Sequence, residues 1–286
     1  MAEIVGGLGT SHIPGIGNAI AKGLQQDPYW KPFFDGFIEA HKWLARIKPG
    51  IVVIFYNDHG LNFFLDKLPT FAVGAAPEYS NADEGWGLPV QRPYKGNPDL
   101  SWHIIEGLVH DEFDVTTCQE MLVDHAVVVP MQLLWPKGDA PVTIVPIAIN
   151  TVQHPLPSVA RCLKLGQAVG RAIGNYKKDA RVLVLGTGGL SHQLDGQRAG
   201  FINKDFDMLC MDKLVNDPQA LTSYSNDDVV RLAGTQGVEV LNWLAMRGAL
   251  TGQVSKAFVN YHIPISNTAA ALMLLDNQPK TARQAA

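Results

Sequence analysis

Residues 51–59 read Ile51-Val52-Val53-Ile54-Phe55-Tyr56-Asn57-Asp58-His59. An apolar run of β-branched and aromatic residues that ends abruptly in short polar ones predicts a strand buried on both faces and opening into a loop. Two other segments repeat the arrangement: Ile4 to Gly9 runs into Thr10-Ser11-His12, and Arg181 to Gly186 runs into Thr187-Gly188-Gly189-Leu190-Ser191-His192. Further strands are expected at Thr70 to Gly74, Asp114 to Cys118, Val142 to Ile149 and Lys256 to Tyr261. Segments of helical period separate them, with helices expected at Trp30 to Arg46, Pro98 to His110, Leu156 to Asn175, Asn203 to Val215, Asp227 to Ala233 and Gly237 to Arg247. Asn97-Pro98 and Asn203 supply start signals, and Gly234 and Gly248 supply stops. The alternation predicts an α/β fold, a central mostly parallel or mixed sheet with helices on both faces.

A chain of 286 residues, 47% hydrophobic and 17% charged, can bury one large core, and nothing marks an internal boundary, so a single domain over 1–286 is expected. The stretch from Pro77 to Pro98 mixes turn formers with Tyr79, Trp86 and Tyr94 and reads as an ordered excursion; Asn277 to Ala286 reads as a loose tail. No apolar run approaches the roughly 20 residues that cross a bilayer, and the N-terminus lacks a leader pattern. Three cysteines, Cys118, Cys162 and Cys210, fall in no C-x-x-C spacing, which fits a reducing cytoplasm. A net charge of -4 with scattered basic residues argues against a nucleic-acid partner.

In open α/β sheets, ligands bind beyond the carboxyl ends of the strands. If the three strands are parallel neighbours, His12, His59 and His192 meet in one crevice although 180 residues separate the first from the last. The alternative is that each histidine only hydrogen-bonds its own loop. A metal held by imidazoles calls for an anionic oxygen ligand, and Glu239, in the apolar setting Gly237-Val-Glu-Val-Leu, is a candidate; it also reads as a first-turn glutamate facing the helix dipole. Two histidines and a carboxylate suit non-heme Fe(II), and equally a hydrolytic zinc or a non-catalytic binding pocket. H-E-x-x-H, G-x-S-x-G and the P-loop pattern are absent. His125 can join the pocket; His41, His103, His110 and His154 read as surface or packing residues, and His262 is undecided.

Taken together, Ser11-His-Ile-Pro, Tyr56-Asn-Asp-His, Ala82-Asp-Glu-Gly-Trp-Gly, Val123-Asp-His, Gly186-Thr-Gly-Gly-Leu-Ser-His-Gln, Gly237-Val-Glu, Tyr261-His-Ile-Pro and Ser266-Asn-Thr-Ala resemble the β-subunit family of protocatechuate 4,5-dioxygenase, the class III extradiol ring-cleavage enzymes. The resemblance covers nearly the whole chain. It implies that His12, His59 and Glu239 ligate Fe(2+), that His192 is an unliganded acid and base, and that His125, Asn57 and Ser266 line the substrate pocket. It implies extradiol cleavage of a carboxylated catechol, such as protocatechuate or gallate, by O2. It also implies a small separate α subunit as a lid, or self-association. Ala126 stands where the family has glycine.

Overall fold

The computed structural model describes residues 1–85, 88–89, 91–138, 140–263 and 268–278. In chain order, β1 (Ala2–Thr10) leads to α1 (Pro14–Ala21) and α2 (Lys31–Ile47), then β2 (Ile51–Tyr56) and β3 (Phe71–Gly74). A small antiparallel pair, β4 (Glu78–Tyr79) with β5 (Tyr94–Lys95), precedes α3 (Pro98–His110), β6 (Thr116–Cys118) and α4 (His125–Leu134). There follow β7 (Thr143–Ile149), α5 (Val159–Asn175), β8 (Ala180–Thr187), α6 (Lys204–Asn216), α7 (Asn226–Ala233) and α8 (Val240–Ala249). The antiparallel strands β9 (Gln253–His262) and β10 (Ala270–Gln278) complete the described order.

Eight strands form one mixed sheet in the order β6-β3-β7-β2-β8-β1-β10-β9. Its centre, β7-β2-β8-β1, is parallel, whereas β3 runs antiparallel to β7 and β10 antiparallel to β1. Every residue of β2 is buried, because its side chains alternate between two cores. Val52, Ile54 and Tyr56 pack with Phe33, Phe37, Trp43 and Val127 from α2 and α4. Val53 and Phe55 pack with Leu165, Val169, Leu241 and Trp243 from α5 and α8. Each such side chain contributes about 1.5–3 kcal/mol by leaving water, so a charge at Val53 would unseat one face of the sheet.

The helices of the second face crowd closely. A Cβ on Gly166 would lie 2.0 Å from the Ala245 carbonyl oxygen, and one on Gly170 would lie 2.4 Å from that of Ala249, so α5 and α8 touch through bare backbone. Close packing brings the start of α8 against the end of β8, where a Cβ on Gly186 would meet the Asn242 carbonyl at 2.7 Å. Among the described residues, no helix is long and apolar enough to cross a membrane. The three cysteines are free and buried.

The expected α/β sheet with helices on both faces is what the chain adopts, and the six expected helices are all present. The short pair β4 and β5 lies in the stretch read as an ordered excursion, and three further elements escape the sequence reading. α4 contains Val127-Val-Val129, a strand-like run, yet the Asp124 carboxylate caps it by accepting the Ala126 N–H, and tertiary burial of Val127 to Val129 holds it. α1 is short and opens on Pro14 without a side-chain cap. β10 is rich in Ala, Leu and Met, which favour helices, but it is buried between β1 and β9. Asn277 therefore belongs to a strand and not to a tail: its side chain accepts from the Gly252 N–H and donates to the Ile4 carbonyl. Residues 279–286 lie outside the described chain.

Candidate metal centre

The order β2-β8-β1 makes the three histidine-bearing strands neighbours. Phe55 and Gly9 both pair with Gly186, so Tyr56, Thr187 and Thr10 form one row from which three loops leave at the same level. His12, His59 and His192 meet there, and the Gly237–Glu239 turn that precedes α8 brings in Glu239. The Glu239 carboxylate is 3.5 Å from His12 Nε2, 3.6 Å from His59 Nε2 and 3.8 Å from His192 Nε2. Gly188 permits this approach. Its φ is +144°, and a Cβ there would sit 2.6 Å from the Glu239 Cβ.

Each imidazole is oriented through the nitrogen that faces away from the carboxylate. His12 Nδ1 lies 3.1 Å from the buried Thr187 hydroxyl. His59 Nδ1 lies 2.9 Å from Asp124 Oδ2, which also accepts the His59 backbone N–H at 2.8 Å. His192 Nδ1 lies 2.9 Å from the Leu190 carbonyl, which can only accept, so its Nε2 is the nitrogen left free to take a proton. The loop carrying His59 is held by Asp58, whose carboxylate accepts the backbone N–H groups of Gly60, Leu61, Asn62 and Phe63.

His125 is the first residue of α4. Glu84 grips it twice: one carboxylate oxygen lies 2.6 Å from the His125 backbone N–H, and the other lies 2.7 Å from Nδ1. Its ring lies 4.1 Å from that of His59 and 5.4 Å from that of His12, centroid to centroid. The ligand atoms of His12, His59 and His125 all fall within 4.8 Å of one another, so geometry alone leaves His125 as another candidate ligand.

The charges are mutually dependent. Burial alone would raise the Glu239 pKa, but His12 and His59 outweigh it and hold the carboxyl well below its ordinary range. Burial lowers the His12 pKa despite Glu239, which favours a neutral ring. Burial opposes a charge on His59 as well, yet Asp124 and Glu239 more than offset it and lift the pKa to about 10. Asp124 is held at about 2: burial would raise it, and His59 together with His125 overrides that.

Asn57, expected to line the pocket, lies directly against the Glu239 carboxylate. It is fully buried, and its amide donates to Glu239 Oε1 at 3.1 Å. Ser266 lies outside the described residues. His41 and His103 bond the backbone carbonyls of Leu133 and Ala172, in keeping with packing roles, and His262 bonds that of Tyr29. The residues that sequence reasoning missed are Asp124, Glu84, Thr187 and Asn242. Only Asp124 left a signal, as a capping residue ahead of a helix start. A surface groove of about 770 Å³, lined by Leu44, Pro49, Leu134, Trp135 and Pro141, contains none of the clustered histidines.

Residues 6–273 match the family model described as the catalytic LigB subunit of aromatic ring-opening dioxygenase. The chain is similar to a gallate dioxygenase of Pseudomonas putida, 42% identical over 198 residues, which are 69% of this chain and 58% of that protein. The chain therefore spans less than two thirds of that relative. It is 31% identical to a 2,3-dihydroxyphenylpropionate/2,3-dihydroxicinnamic acid 1,2-dioxygenase of a Rhodococcus species over 259 residues, 75% of this chain and 80% of the relative. An uncharacterized Escherichia coli K12 protein of known crystal structure shares the fold, with a TM-score of 0.57 at 14% identity, covering 94% of this chain and 99% of that one.

Proposed function

The chain belongs to the LigB family of aromatic ring-opening dioxygenases, and we propose that it cleaves a carboxylated catechol outside its diol, with O2, at a ferrous ion held by His12, His59 and Glu239. The observation that carries this reading is one buried carboxylate within 3.5–3.8 Å of three imidazole Nε2 atoms, with no Lys or Arg recorded as its partner among the described residues. A buried anion ringed by imidazoles fits a divalent cation better than any neutral ligand, and two nitrogens with one oxygen leave coordination positions open. Bound there, a ferrous ion would lower the catechol pKa and link the ring electronically to O2.

The rest falls to the protein. His192, its Nδ1 turned to the Leu190 carbonyl, takes a proton from one catechol hydroxyl at Nε2 and later returns it to an oxygen of the opening ring. His125, backed by the Glu84 carboxylate, donates to or accepts from the second substrate oxygen. Thr10, Ser11, His12, Asn57 and Glu239 are buried beneath the centre, whereas His59 is exposed, so exclusion of bulk water from the reacting face falls to the proposed lid. The bond that breaks lies beside the diol, and both oxygen atoms of O2 remain in the product.

Similarity to the gallate dioxygenase supports a trihydroxy- or dihydroxybenzoate substrate, and protocatechuate 4,5-cleavage is the related alternative. The lid subunit suggested by the sequence is part of the proposal. Phe64 and Leu65, 62% and 75% exposed on the loop that follows His59, offer it an apolar seat. An oxygen electrode with gallate, protocatechuate, 3-O-methylgallate and 2,3-dihydroxyphenylpropionate on iron-loaded protein, with and without a small co-expressed partner, tests the reading. Zinc retention without oxygen uptake would reject it. Iron that survives Glu239→Ala but not His125→Ala would replace the ligand set.

A further inference from the structure

Behind Glu239 lies a pair of fully buried amides. Asn242, one turn further along the chain, donates through Nδ2 to Asn57 Oδ1 at 3.1 Å and to the Thr187 carbonyl at 2.8 Å. Its Oδ1 is buried without a hydrogen-bond partner. These contacts decide the orientation of the amide, since a flipped Asn242 would face two oxygens with a third. They decide Asn57 in turn. With Asn57 Oδ1 committed to accepting from Asn242, its NH2 must face the centre, where it donates to Glu239 Oε1 at 3.1 Å and lies 3.0 Å from His59 Nε2.

We infer that Asn242, acting through Asn57, is a positioning residue for the metal centre: it fixes the rotation of the Glu239 carboxylate and the separation between Glu239 and His59. The inference rests on the metal-site reading above. Two further contacts complete the geometry. The other Glu239 oxygen accepts the Gly189 N–H at 2.7 Å, so the carboxylate is held from both sides by fixed donors. Thr187, whose carbonyl Asn242 holds, carries the hydroxyl that meets His12 Nδ1, so one side chain on α8 bears on three groups of the centre.

A buried amide whose only work was to satisfy backbone would have no reason to choose the partner of a ligand carboxylate. Loss of a group that orients a ligand typically weakens metal binding about 10–100-fold. Asn242→Leu keeps the number and branching of the side-chain heavy atoms, with a larger volume, and removes the donors. Asn242→Asp keeps the shape, removes the N–H groups and lets Asn57 turn its oxygen toward Glu239.

The test is Co²⁺ titration of the metal-free protein, followed by the visible absorption of the bound ion, with the unfolding midpoint recorded for each variant. Asn242→Leu and Asn242→Asp are expected to bind about 10–100-fold more weakly. Asn57→Ala is expected to match them, and in the Asn57→Ala background Asn242→Leu should weaken binding no further, because the two act as a unit. Unchanged affinity in a folded Asn242→Leu protein overturns the inference, as do losses that multiply in the double variant. If Asn242→Leu does not fold, Asn242→Asp decides in its place, and wild-type affinity there is likewise fatal. Failure of the wild type to bind Co²⁺ at one ion per chain, or retention of it by Glu239→Ala, defeats the metal-site reading itself.

Discussion

Replacing Asp124 by asparagine sets two tasks of one side chain against each other. The carboxylate accepts both His59 donors on Oδ2, at 2.8 and 2.9 Å, and the Ala126 N–H at the start of α4 on Oδ1, at 2.9 Å. An amide has one oxygen. Turned toward His59, it keeps only neutral hydrogen bonds there and loses the helix cap, worth about 1 kcal/mol; turned toward Ala126, it loses the hold on His59 altogether, worth about 1.5–3 kcal/mol. The smaller loss selects the first orientation. Asp124→Asn should therefore lower metal-free stability by about 1 kcal/mol for the cap, with the lost charge on His59 adding to it, and keep more metal affinity than Asp124→Ala. Asp124→Ala loses both tasks and should weaken metal binding about 10–100-fold.

The acid limb adds a second check. The folded-state pKa of Asp124, about 2, lies below its ordinary 3.8, so the ionised carboxylate stabilises the fold above that ordinary value. That contribution, on the order of 2 kcal/mol, disappears as pH falls through this window. The alanine variant lacks it, so its unfolding free energy should fall less between about pH 5 and pH 2 than that of the wild type. Urea unfolding across that range and Co²⁺ titration near neutrality measure both quantities. An alanine variant that binds as tightly as wild type, or an asparagine variant that binds more weakly than alanine, refutes the reasoning.

His192→Gln should retain the metal and lose roughly 10²–10⁴-fold in kcat, the usual contribution of a positioned acid-base group, as metal analysis beside single-turnover kinetics would read. Glu84→Gln keeps one of the two grips on His125; metal content should stay at the wild-type level while kcat/KM for the catechol falls about 10–100-fold, in keeping with a lost charge-assisted bond of about 1.5–3 kcal/mol. Gly188→Ala forces a Cβ to within 2.6 Å of Glu239 and strains a φ of +144°, so bound metal should be lost together with about 1–3 kcal/mol of stability, visible in the thermal midpoint.

The central strands and their histidine loops were legible because a double-sided buried strand has a distinctive composition, and parallel neighbours bring their carboxyl ends together by topology alone. Spacing along the chain could not show that Glu239 faces inward: the same residue at the mouth of a helix in water satisfies every local rule. Its position follows from contacts with Gly188 and Gly189, which lie 50 residues or more away in sequence. Thr187, Asn242 and Glu84 were invisible for the same reason, since ordinary polar residues acquire their roles only through partners far along the chain. β10 was missed through composition, because Ala, Leu and Met carry helical preference and only the flanking strands decide against it. Asn57 was legible as a residue of the site, but not that its amide faces the carboxylate while its oxygen is engaged from behind.

The row formed by Thr10, Thr187 and Tyr56 makes the centre a record of correct assembly. A slip of one residue between β1 and β8 would send the His12 side chain to the opposite face of the sheet. A cation can then be captured only by chains whose threading is right, and its capture proofreads the fold. At free metal a thousandfold above its dissociation constant, that selection would favour the proper register by about 4 kcal/mol over every arrangement unable to bind.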